Sequence, residues 1–249
     1  MKTRFAAIAL SMFGGFALFG HTPRLEAVTK SKVEDRVHNS ALVMKEAMGV
    51  HSRIPQSLLQ KAHCVIVIPS VMKGAFAFGG SYGRGLMTCR SGKDADGPWT
   101  APTMMALEGA SFGLQVGGQA TDFVLLVMSE RGARSILGGK AKIGGDLAGS
   151  AGPVGRNMQA NLDVYLRTSI LTYSRSRGLF GGVSLDGSTL RPDNKANEAL
   201  YGTKVSAKAI VLENAVPMPA LADDLIATLN EHGQKPSKEK VVVSATSQP

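Results

Sequence analysis

The sequence predicts an α+β domain: a curved, antiparallel, barrel-like β core rich in strand glycines, with flanking helices at its N- and C-terminal ends. Three observations carry this. From Cys64 onward the chain breaks into short apolar or alternating runs punctuated by glycine, namely CVIVIP, GAFAFGG, GRGLMTC, SFGLQVGG and DFVLLVM, which is how strands read. Toward the two ends, apolar residues recur at helical spacing instead: Val33, Val37, Ala41, Met44 and Met48, then Leu221, Leu225 and Leu229. No regular alternation of strand and helix joins the runs, which sets aside a parallel sheet of βαβ units.

Composition agrees. The 249 residues include 29 glycines, with 44% hydrophobic and 19% charged residues. That is too much glycine for a helical bundle, and the glycines lack the strict period of collagen. Glycine inside a strand costs stability, so its repeated use there implies sharp bending and close backbone approach. A membrane-spanning barrel would need longer lipid-facing alternation and aromatic girdles, for which one Trp and four Tyr are too few.

Taken in order, Lys2 and Arg4 precede an uncharged apolar run over residues 5–19. This is a signal-peptide pattern, and the run is shorter than a spanning helix requires. Residues 1–27 are expected to be a cleaved leader, with an uncleaved anchor as the alternative. Residues 28–233 form the domain and 234–249 a polar, disordered tail. Residues 31–48 make an amphipathic helix docked on the sheet; Glu34, Asp35 and Glu46 dilute the basic face that a helix lying in a membrane would want. Pro55, at a favoured first-turn position, opens a short helix to Ala62.

Residues 92–98 form a surface loop and Trp99 opens the next strand, while Ser129 caps a helix through Leu137 that Gly138 and Gly139 stop. Residues 161–175 alternate as a long strand, and Asp193 caps a helix that ends before Gly202. Pro217 and Pro219 precede the last helix and Gly233 follows it.

The formal net charge is +9, and the chain stays basic without its leader. An exported basic protein, periplasmic or in the cell envelope, meets phospholipid headgroups before nucleic acid, so the expected partner is an anionic surface and not a nucleic acid. Two cysteines occur, Cys64 and Cys89, outside any metal-ligand spacing. In an oxidising compartment a disulfide is expected, since antiparallel pairing of CVIVIP with GRGLMTC brings the two ends together; two buried free thiols are the alternative. Closing that loop contributes about 3 kcal/mol.

Motifs of catalysis lack their context. Residues 109–113 fit GxSxG around Ser111, but an alternating glycine-bearing run follows where the nucleophile elbow needs a helix, and the only later histidine is His232. Gly139-Lys140 lacks the earlier glycine of a phosphate loop, and Ala141 stands where Ser or Thr would hold magnesium. Residues 79–85 and 144–155 lack dinucleotide-fingerprint spacing. His21, His38, His51, His63 and His232 are scattered, and Asp94 and Asp96 lack the rest of a calcium loop. A non-catalytic protein without cofactor or metal is the expectation. What remains is anion recognition: Lys73 in PSVMKG, Arg84 in SYGRG, Arg156 in GPVGR, and Arg175 with Arg177, which stand two apart and so share one strand face as a fork.

Residues 169–202, SILTYSRSRGLFGGVSLDGSTLRPDNKANEALYG, resemble the SYLF domain family. The likeness continues upstream over residues 54–90, 111–133 and 151–156, so it spans residues 33–202 in one colinear block. One departure is residues 106–111, ALEGAS, where the family pattern runs to several glycines and Leu107 and Glu108 are bulkier. The resemblance implies a phospholipid-binding module, of the anionic-lipid or phosphoinositide type, for which Lys73, Arg84, Arg156, Arg175 and Arg177 are the candidate ligands read from their own positions. It implies as the alternative a protein-interaction or envelope-structural module, by analogy with the actin-binding members of yeast. The bacterial-type leader makes actin an improbable partner and an envelope protein the expected one.

Overall fold

A computed structural model describes residues 23–49, 54–76, 78–92, 94–111, 119–154, 168–176 and 179–234. The expected leader up to residue 22, residues 112–118 and 161–167, which the sequence predicts as strand, Arg156, Arg177 and the expected tail from 235 lie outside the described residues. The fold is the α+β one expected, with a strongly curled, half-barrel sheet.

Helices α1 (Pro23–Ala47) and α2 (Gln56–Lys61) come first, followed by β1 (Cys64–Phe76), β2 (Phe78–Cys89), β3 (Thr103–Ser111) and β4 (Gln119–Val127). Helix α3 (Glu130–Leu137) leads to β5 (Ala141–Lys142), β6 (Gly149–Ala151), β7 (Ile170–Ser176), β8 (Leu179–Gly182) and β9 (Thr189–Pro192). Helices α4 (Asn194–Tyr201) and α5 (Ala207–Leu212), a 3-10 turn (Ala220–Ala222) and α6 (Asp223–Gly233) close the domain. The strand order is β5-β9-β3-β2-β1-β4-β7-β6, with β8 on β7. All pairings are antiparallel except β6 with β7.

Helices cover both faces of the sheet. On one face Val65, Val67, Leu86, Met104, Val124 and Tyr173 pack under α1, α2, α4 and α6; on the other, Ile66, Ile68, Met87, Met105 and Phe123 pack under α3 and α5. This is why CVIVIP is apolar without alternation: a strand buried on both sides has no solvent side to keep polar. The stripe Val33, Val37, Ala41, Met44 and Met48 is buried as its spacing predicts, although α1 begins earlier, at Pro23.

Strand β1 kinks at Pro69-Ser70. Ser70 has φ 50°, and the registers of β1 with β2 and with β4 both slip there. This is a bulge, which bends a strand and increases its local twist. Gly85 of β2 faces it: a Cβ there would run into the carbonyl oxygen of Val67, so only glycine lets the two backbones meet. The strand glycines thus act in close approach, as the composition implies.

Cys64 and Cys89 sit directly opposite each other on β1 and β2, with Cα atoms 3.9 Å apart, and are bridged. Both are buried. The Ser129 hydroxyl accepts from the Gly132 N–H at 3.1 Å and caps α3. Asp193 does the same for α4, and Gly202 ends that helix at φ 69°. Helix α5, which the sequence reading lacks, is capped by Ser206 accepting from the Ala209 N–H at 3.1 Å.

Candidate interaction face

Side chains alternate along a strand, so Tyr82 and Arg84 share a face with Leu86, the face that carries α1. Where α1 and α4 stop covering it, a row crosses five strands in register: Ala120, Met72, Tyr82, Glu108 and Thr189. Met72 is 56% exposed and Tyr82 41%. The next row inward holds Arg84, Ala106 and Arg191. This is an apolar and aromatic patch bounded by fixed charges.

Each charge has a structural holder. The Arg191 Nε donates to Glu108 Oε1 at 2.9 Å; that bond holds the Glu108 carboxyl below its ordinary value and raises the Arg191 guanidinium. Arg84 donates to the Tyr82 hydroxyl and lies over its ring, 5.5 Å from the centroid. Asp193, held by its capping role at the start of α4, turns Oδ2 toward two guanidinium groups: Arg84 Nε at 3.6 Å and Arg36 Nη1 of α1 at 3.9 Å. Burial first, then the neighbouring Arg84, pushes the Arg36 guanidinium down.

A second cluster lies farther along the same face. Arg175 Nη2 meets Asp122 Oδ2 at 2.7 Å, and its other arm pairs with Glu46 near the end of α1. Asp122 also accepts from the Ser70 N–H at 2.8 Å. Arg175 therefore ties α1, β4 and the β1 bulge together.

Of the five residues read as anion ligands, the structure places Arg84 and Arg175 on the helix-bearing face, each with carboxylates of the chain itself. Lys73 lies on β1 in register with Ser81 and Gln119. Arg156 and Arg177 lie outside the described residues, so the Arg175 and Arg177 fork is described only at Arg175. The sequence reading misses Arg36, Tyr82, Arg191 and Asp193 as members of one site. Its nearest signals were Glu108, noted for its bulk, and Tyr82 two residues from Arg84. Ser111 lies at the end of β3 opposite Gly79. Among the described residues, no group of three or more His, Cys, Asp or Glu is placed to hold a metal ion, and no helix is long and apolar enough to cross a membrane.

The rest of the 169–202 fingerprint is architectural. Buried Asn197 accepts from the Met104 N–H at 2.7 Å and donates to Thr103 Oγ1 at 2.9 Å. The Tyr201 hydroxyl donates to the Pro102 carbonyl at 2.5 Å, and burial raises its pKa. Asp193, Asn197 and Tyr201 fix α4 against β3 and so fix the carboxylate that faces Arg36 and Arg84.

Residues 108–232, just over half of the chain, match the Ysc84 family, described as "Las17-binding protein actin regulator". The chain is 34% identical over 204 residues to Protein YSC84 of Saccharomyces cerevisiae, covering 81% of this chain and 42% of that protein. It is 34% identical over 205 residues to an SH3 domain-containing protein of Schizosaccharomyces pombe, covering 81% and 46%. With the human SH3 domain-containing YSC84-like protein 1 it shares 30% identity over 222 residues, covering 86% and 64%. The chain thus spans 42 to 64% of these relatives' lengths. These descriptions overturn the expectation, drawn from the expected leader, that actin is an improbable partner: the matched family is described by actin regulation, and LAS seventeen-binding protein 3 of Saccharomyces cerevisiae is 32% identical over 196 residues.

Proposed function

The chain belongs to the Ysc84, or SYLF, family, and we propose that it is a non-catalytic protein-interaction module whose partners belong to the actin-regulatory class. The observation that carries this is the family match over residues 108–232, which includes β4, β7, β9, α4 and α6 and so Arg191 and Asp193, while Arg36, Met72, Tyr82 and Arg84 precede it. The chemistry suits binding: fixed ion pairs and an exposed Met72-Tyr82 pair offer a preorganised surface, which lowers the entropic cost of association. Co-sedimentation with actin filaments, alongside retention on immobilised Las17, tests the reading. Saturable binding to either is expected; failure on both, with retention on anionic vesicles, refutes it.

Phospholipid docking is the second reading, supported by the formal charge of +9. Basic proteins are drawn to anionic leaflets, at about 1 kcal/mol per cation near the surface. Pelleting with phosphatidylserine vesicles but not with neutral ones is its expected result, and equal recovery from both removes it. Export through residues 1–27 is part of the same proposal; the buried stripe of α1 begins at Val33, so a chain lacking those residues is expected to keep its melting temperature.

A further inference from the structure

We propose that the open sheet face around Met72, Tyr82 and Arg84 binds an acidic polypeptide segment, an Asp or Glu side chain entering between Arg36 and Arg84 while a neighbouring apolar residue packs on Met72 and Tyr82. The inference rests on the protein-interaction reading and adds to it a face and a partner chemistry.

Pairing between the two arginines and the chain's own carboxylate is incomplete. Arg36 and Arg84 share one oxygen, Asp193 Oδ2, at 3.9 and 3.6 Å. Charge-assisted bonds between guanidinium and carboxylate close to about 2.8 Å, so neither arginine is hydrogen-bonded to that oxygen. Arg36 Nη1 and Asp193 Oδ2 are both buried without a hydrogen-bond partner. Arg84 Nε already donates to the Tyr82 hydroxyl, so the donor left over is Arg36 Nη1, and a second carboxylate supplies it with the acceptor that the chain does not.

The patch also carries net charge. Among the described residues, the ion pairs of Arg36, Arg84 and Arg191 run to Asp193 and Glu108. Three cations against two carboxylates leave the patch positive, which selects an acidic partner and repels a basic one.

The depth of Arg36 separates a polypeptide from a bilayer. The Arg36 side chain is only 19% exposed, set back between α1 and the strands, while Arg84 is folded onto Tyr82. A headgroup plane engages cations that protrude. Arg84 is 41% exposed and open to either partner, but a single extended side chain is what reaches the recessed Arg36, and the exposed Met72-Tyr82 pair beside it supplies the apolar contact that an anchor residue needs.

The test is selection of a random dodecapeptide phage library on the immobilised full chain, followed by titration of the enriched peptides in synthetic, fluorescein-labelled form. The expected result is enrichment of Asp or Glu next to Leu, Phe or Trp. Affinity should fall at least tenfold in Arg84→Glu and at least threefold in Met72→Ser, and be unchanged in Leu179→Ser, which lies on the opposite face of β8. Met72 and Leu179 are exposed, so those two variants keep the test readable if Arg84→Glu lowers the melting temperature. No enrichment, enriched peptides without acid, or peptides bound equally by the wild type and the first two variants would overturn the proposal. Displacement of the peptides by phosphatidylserine vesicles with the same Arg84 dependence would also overturn it, by making the face a membrane surface. A Las17 or filament interaction that survives Arg84→Glu would sink this face while leaving the protein-interaction reading intact.

Discussion

The β1–β2 hairpin has two unlike ends. At one, Cys64 and Cys89 are bridged, their neighbours Val65, Val67, Leu86 and Met87 are wholly buried, and helices cover both faces. At the other, beyond the bulge at Ser70, Met72 and Tyr82 stand exposed in register and charged side chains replace the apolar ones. The same two strands thus serve as core and as surface, and the bulge with its facing Gly85 marks the change. A covalently closed, doubly covered end holds the open end still, which is how a scaffold presents a preorganised face.

That division is open to attack at several points. The largest effect is expected from Gly85→Ala, which forces a Cβ into the Val67 carbonyl. Overpacking of this kind costs on the order of 3 kcal/mol, or roughly 10 °C in melting temperature for a domain of this size. Gly181→Ala, where nothing lies within 4 Å of the added Cβ, is the control and should leave the melting curve in place. If the two behave alike, the close approach at the bulge is not what the glycine provides.

Removing the bridge with Cys64→Ala and Cys89→Ala together should cost about 3 kcal/mol in denaturant titration, from the loop it closes; reductant should reproduce the shift in the wild type and not in the variant. Asn197→Ala comes next, at about 2 kcal/mol, because it leaves the Met104 N–H buried without its acceptor. The smallest effect is expected at the open end. The Arg191 hydrogen bond depresses the Glu108 carboxyl below its ordinary 4.5. It therefore contributes stability above that pH, which is lost as pH falls through the lower folded-state value. Glu108→Gln should flatten this acid limb slightly, because the pair is partly exposed and screened. An unchanged acid limb would remove the pair from the account.

The elements that the sequence makes legible are those written in local chemistry. Ser129 before α3, Asp193 before α4 and Gly202 after it are caps, readable because one side chain serves the next few backbone groups. The Cys64–Cys89 bridge is legible because antiparallel pairing of CVIVIP with GRGLMTC brings the two cysteines together at one end. Strands β5, β6, β8 and β9 are missed, because two to four residues carry no period of their own and exist through pairing with distant partners. Helix α5 is missed although Ser206 signals it, since six residues give little stripe. The site is the least legible part. Arg36, Arg84 and the Arg191–Asp193 pair are far apart in sequence, on a helix, a strand and a strand that runs into a cap, and only the register of β2, β3 and β9 with the packing of α1 brings them together. Nor does the sequence show the carboxylates, Asp193 and Asp122, that the fold sets beside Arg84 and Arg175.

The most direct test of this division of labour measures partner binding and stability together in two variants, using whichever of Las17 or filamentous actin binds the wild type. The account predicts opposite outcomes. The double cysteine variant should lose several degrees of melting temperature yet bind as the wild type does below it, whereas Arg84→Glu should keep its melting temperature within a few degrees and lose at least tenfold in affinity. Binding that falls in step with stability in both variants, or that survives Arg84→Glu unchanged, would contradict it.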